Sequence, residues 1–132
     1  MTDTMQTILA AADKLLFRSE SDYPFEPFTH ENPTHGPLAV PELLSWLGKP
    51  ADTPVERQEL AYFFRNHTRE APGASAAQTD LAHRFQQLQH VLAETLHEPA
   101  VYRVGQMQVQ AYLIGQDPAG NFAGVTTTLI ET

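Results

Sequence analysis

The chain has 132 residues, is 42% hydrophobic, contains no cysteine, and carries eight basic against sixteen acidic residues, a formal charge of −8. A chain of this length forms one domain, here spanning residues 1–132, and buries roughly two-thirds of its unfolded surface in a core. The absence of cysteine excludes disulfide scaffolds, thiol nucleophiles and thiolate zinc sites, and the acidic balance argues against direct nucleic-acid binding, which needs lysine and arginine to displace counterions. Such a surface either attracts a basic partner and speeds the encounter or simply keeps the chain soluble. Met1 to Thr7 lacks the basic start and apolar run of a signal peptide. No segment approaches the ~20 apolar residues that span a bilayer, so the expected compartment is the cytoplasm, with no membrane association.

Asp3 or Thr4 is placed to cap a first helix running through Leu16, because Met5, Ile8, Leu9, Ala12, Leu15 and Leu16 follow the three-four spacing of one buried face. Pro24 and Pro27 exclude helix interior from the segment that follows. There Tyr23, Phe25 and Phe28 read as anchors of a short edge strand or tight loop, and Ser19 to Asp22 form a polar elbow ahead of them. Residues 29–58, punctuated by prolines 33, 37, 41, 50 and 54, read as connecting loop with one short helix from Glu42 to Leu47. Glu59 to His67 reads as a further helix with Leu60, Phe63 and Phe64 turned inward. Glu70 to Ala77 is a surface loop. Ser75 and Gln78 have the spacing of a capping box, which opens a long helix from Ala76 to His97. Its apolar stripe is Leu81, Phe85, Leu88, Leu92 and Leu96, and Pro99 ends it.

The last 32 residues carry three strand-like runs, rich in the β-branched and aromatic side chains that suit a pleated surface. Val101, Tyr102 and Val104 form the first. Val109, Tyr112, Leu113 and Ile114 form the second. Phe122, Val125, the threonines 126 to 128, Leu129 and Ile130 form the third. Gly105-Gln106 and Asp117-Pro118-Ala119-Gly120-Asn121 supply turns between them, so the three make an antiparallel meander. Helices first and strands last give an α+β fold with helices laid on one face of a small antiparallel sheet. The last strand reaches Ile130, where chain ends usually trail off, and only Glu131-Thr132 follow.

Chemistry-bearing clusters are few. His83, His90 and His97 recur every seven residues on the long helix, but seven residues rise about 10.5 Å, too far for a shared zinc ion whose ligands each sit about 2 Å away. They read as a solvated face, with His97 near the helix C-terminus. His30, Glu31 and His35 lie close in sequence, yet their proline- and glycine-rich loop offers no scaffold for metal geometry. There is no phosphate-cradling glycine loop and no nucleophile elbow, and carboxylate pairs such as Glu20 and Asp22 read as solvated. The residues alone therefore describe a non-catalytic domain without cofactor, whose unusual features are its acidic elbow and its structured C-terminus.

Three blocks, Leu15–Phe28 (LLFRSESDYPFEPF), Phe85–Gly105 (FQQLQHVLAETLHEPAVYRVG) and Tyr112–Thr132 (YLIGQDPAGNFAGVTTTLIET), together resemble the nuclease A inhibitor family. These are small acidic proteins that block a sugar-non-specific, magnesium-dependent DNA/RNA nuclease. The resemblance implies an α/β sandwich, with helices packed on a small sheet. It also implies a partner, a basic metal-dependent nuclease, and a monomer when free. In the family the C-terminal threonine reaches the nuclease's catalytic magnesium, a role that falls here to Thr132, aimed by Ile130 and Glu131. The family's contact glutamate corresponds to Glu20, between Ser19 and Asp22 of the elbow. The loop Glu70 to Ala77 departs from the family, because it offers one acid, no aromatic residue and mostly alanine. An interaction or ligand-binding module on the same scaffold, without a nuclease partner, is the alternative this departure leaves open.

Overall fold

Thr2, rather than Asp3 or Thr4, caps the first helix: its hydroxyl accepts the Met5 N–H at 3.2 Å, and helix α1 spans Asp3–Ala12. The computed structural model describes residues 2–131. α1 stops four residues earlier than the apolar spacing predicts, at Ala12. Lys14 takes a left-handed φ of 63°, a conformation that cannot continue the helix. Leu15 is buried all the same, whereas Leu16 is 46% exposed. Leu16 opens strand β1 (Leu16–Arg18), in which Phe17 alone faces inward. β1 pairs with β2 (Asp22–Pro24) in a two-stranded hairpin whose turn is Ser19–Ser21.

Strand β3 (Glu26–His30) is the edge strand that the aromatic spacing allows. It is followed by α2 (Val40–Trp46), β4 (Val55–Gln58), α3 (Leu60–Phe63) and α4 (Arg65–Thr68). The segment 29–58 is thus not all loop and helix. β4 has only Val55 as an apolar residue, and its strand state comes from the ladder that β5 (His97–Val104) offers it. Predicted as one helix, residues 59–67 break into two at Phe64 (φ −88°, ψ 3°), and Leu60, Phe63 and Phe64 are all buried as expected.

Helix α5 (Ala76–Thr95) opens on the predicted capping box. The Gln78 N–H donates to the Ser75 hydroxyl at 3.1 Å, and the Ser75 N–H donates to the Gln78 side chain at 2.8 Å. It ends two residues before His97. Leu96 turns extended as the C-cap and buries its side chain, so His97, one residue beyond the cap, starts β5. His83, His90 and His97 are all exposed.

β5, β6 (Gln108–Gln116) and β7 (Phe122–Ile130) form the predicted meander within a five-stranded antiparallel sheet of order β3-β7-β6-β5-β4. At Gly124 in β7 an added Cβ would sit 1.8 Å from the Leu113 carbonyl oxygen. Only glycine lets β7 lie so close to β6 at this point.

Alternation along the strands divides the core in two. Val101, Val109, Ala111, Leu113, Ala123, Val125 and Leu129 face α1, α3, α5 and the hairpin. Ala100, Tyr102, Val104, Tyr112, Ile114 and Phe122 face the other way, where Leu43 and Leu44 of α2 cover them. The fold is α+β as expected, and the second face, too apolar to leave in water, takes α2 as its lid.

Candidate functional site

Hairpin β1–β2 lies along the last half of β7 and ties itself to that strand's end. Midway, the Thr127 hydroxyl donates to the Pro24 carbonyl at 2.9 Å. At the tip, the Ile130 N–H donates to the Ser19 hydroxyl at 3.0 Å, and the Glu20 N–H donates to the Ile130 carbonyl at 3.2 Å. The Ser19 hydroxyl also donates to the Ser21 carbonyl at 3.0 Å, which holds the turn closed on itself. Residues 110 positions apart in the chain thus share one small surface.

Glu131 is held from two further directions. Its N–H donates to the Met107 carbonyl at 2.6 Å, and its carboxylate pairs with the Arg103 guanidinium. Arg103 also pairs with Glu56 of β4 at 2.8 Å, and its side chain is only 18% exposed. β4, β5 and the residue after β7 are thereby joined on one face of the sheet, just beyond Leu129, where the first core ends.

The elbow has its own support from below. Phe17 stacks between Phe63 at 4.4 Å and His67 at 4.1 Å, and the Arg18 N–H donates to His67 Nε2 at 3.0 Å. His67 must then be neutral, with its remaining proton on Nδ1. Burial, followed by the Arg18 charge and partly opposed by Asp22, lowers its pKa to about 4. Nδ1 is buried and has no hydrogen-bond partner among the described residues.

Ser19, Glu20 and Glu131 therefore meet at the end of β7. Asp22 lies at the other side of the turn, exposed and in register with Arg18. Thr132 lies outside the described residues. Sequence reasoning passed over His67, Arg103 and Met107. Arg103 had a readable signal, as a lone charge inside an apolar strand run; His67 had none, since its role depends on a hairpin 49 residues away.

No group of three or more metal-ligating side chains converges among the described residues. His30 stacks on Trp46 at 3.7 Å, and His35 packs against Gly120, where a Cβ would meet its ring at 2.3 Å; the two rings serve as packing. The loop 70–77 borders a surface depression of about 460 Å³ with Arg18, His67 and the start of α5. Glu70 ties that loop to α5 through His83 at 2.8 Å.

The profile of the family described as nuclease A inhibitor-like protein matches residues 2–132, which include the whole of the hairpin and the tail. The chain belongs to that family. No curated protein sequence matches it. As a member, it is nuclease-inhibitor-like at the level of the family. No helix is long and apolar enough to cross a membrane among the described residues.

Proposed function

We propose that this chain is a stoichiometric protein inhibitor of a sugar-non-specific, divalent-metal-dependent DNA/RNA nuclease, which it caps with its C-terminal tip. The observation that carries the reading is the convergence of the Ser19–Ser21 turn with Ile130 and Glu131. Two surfaces that the family uses together are drawn to one point by the bonds at Ile130. In this reading Thr132 offers a hard oxygen to the partner's metal, an ion that takes oxygen ligands and keeps water positions open. Glu20 stands beside it as a carboxylate where a substrate phosphate would lie, facing the basic surface that a phosphate-gripping nuclease needs. Fixing residues 130 and 131 in advance lowers the entropy lost on binding, which is how preorganisation gains affinity. With a formal charge of −8 the protein draws in a basic partner. It acts as a cytoplasmic monomer that neither binds nucleic acid itself nor carries a metal of its own.

A second reading, an interaction module without a nuclease partner, draws on the loop 70–77. That loop has no aromatic side chain to act as an interface anchor.

Inhibition by the untagged protein separates the two, and adding a short C-terminal tag tests the tip. The tag should abolish inhibition of a magnesium-dependent DNA/RNA nuclease while leaving the thermal midpoint nearly unchanged. A tagged protein that inhibits as well as the untagged one removes the tip from the mechanism.

A further inference from the structure

Met107 is 70% exposed, more than any other large apolar side chain among the described residues. A single exposed apolar residue is ordinary on a protein surface, but this one also sits in an unfavourable backbone state. Its φ is 63°, the left-handed region that glycine and asparagine occupy at low cost and an unbranched apolar residue does not. That conformation serves the tail: the Met107 carbonyl accepts the Glu131 N–H at 2.6 Å. The carbonyl would be presented equally well by glycine, so the tether does not account for the side chain. The side chain is flexible and polarisable, which lets it fit an uneven apolar surface.

The geometry points to Met107 as an apolar contact with the nuclease, pressed against it beside the C-terminal tip. This rests on the proposed function and extends it. A tip of two acids, serines and a threonine brings charge and hydrogen bonding but no large desolvated anchor, and interface energies concentrate in such anchors. The loop 70–77 supplies none, being mostly alanine, proline and glycine. Met107 stands one hydrogen bond from Glu131, in the turn Gly105–Met107 between β5 and β6, and it lines the same surface depression as Arg103 and Glu131.

Two variants, Met107→Gly and Met107→Asn, test this against cleavage of plasmid DNA by a magnesium-dependent, sugar-non-specific nuclease, with wild-type and C-terminally tagged protein alongside. Both substitutions suit the left-handed backbone, so the thermal midpoint should hold or rise while inhibition weakens about tenfold or more, the scale of losing an interface anchor. Opposite signs for stability and inhibition are what a merely structural methionine cannot produce. Unchanged inhibition by both variants, with wild type active and tagged protein inactive, overturns the contact and leaves the inhibitor reading intact. Inhibition lost in proportion to a fall in thermal midpoint also overturns it. Wild-type protein that fails to inhibit overturns both.

Discussion

Replacing Arg103 with methionine tests whether the tail is held as described. The substitution keeps the unbranched stem and removes the guanidinium that joins Glu56 to Glu131. A fully buried ion pair broken from one side costs about 3–5 kcal/mol because it strands a charge. Here the two carboxylates are 61% and 48% exposed, so water recovers them and the larger figure does not apply. The arginine side chain is only 18% exposed, which places its contacts above the 0.2–1 kcal/mol of a fully solvated pair. The expected loss is about 1–2 kcal/mol, or roughly 5 °C of thermal midpoint for a chain of this length. Glu131→Gln alone should cost about 0.5–1 kcal/mol. The double variant should fall short of the sum by more than ~0.5 kcal/mol, the coupling expected of residues in contact. Urea unfolding of the four proteins measures it, and amide exchange at Glu131 should quicken in the arginine variant. Additivity within about 0.3 kcal/mol would show that the pair does not form in solution, and the argument for a tail fixed in advance would lose one of its supports.

Stability should fall on acidification through His67. Its folded pKa, about 4 against 6.5 when unfolded, is lowered, so the folded state favours the neutral ring. The contribution is complete above about pH 6.5 and disappears as pH drops towards 4. The shift sets an upper limit of about 3 kcal/mol, and solvent screening of a half-buried ring reduces it to roughly half. Wild type should therefore lose about 1–2 kcal/mol more than His67→Gln between pH 7 and 4.5 in urea titrations, and parallel losses would count against the buried neutral ring. Gly124→Ala should abolish folding or cost more than about 3 kcal/mol, since its Cβ would meet the Leu113 oxygen at 1.8 Å; a circular dichroism melt within a few degrees of wild type would contradict the strand spacing.

Local chemistry was enough to set the meander, the Ser75–Gln78 cap and the inward set Leu60, Phe63 and Phe64, because propensity, turn type and apolar spacing agree there. It was also enough for the family, since Leu15–Phe28 and Tyr112–Thr132 carry their pattern in order along the chain. β4 was not legible: Val-Glu-Arg-Gln becomes a strand only when β5 presents its unpaired edge. α1 overran for a related reason. Leu15 and Leu16 fit a helical stripe, but stacking of Phe17 between Phe63 and His67 requires an extended β1 with Leu16 turned outward.

Sequence by itself settled the C-terminal meander, the acidic character and the candidacy of Ser19, Glu20 and Glu131 for contact. Only the tertiary structure decided that Ser19, Glu20 and Glu131 share one surface, with Asp22 on the far side of the turn, and that Arg103 and Met107 hold the tail. Periodicity reports neighbours within about a turn of helix or a strand pair. Bonds such as Ser19 to Ile130, which span most of the chain, exist only once the sheet and hairpin have packed and brought both ends to the same edge.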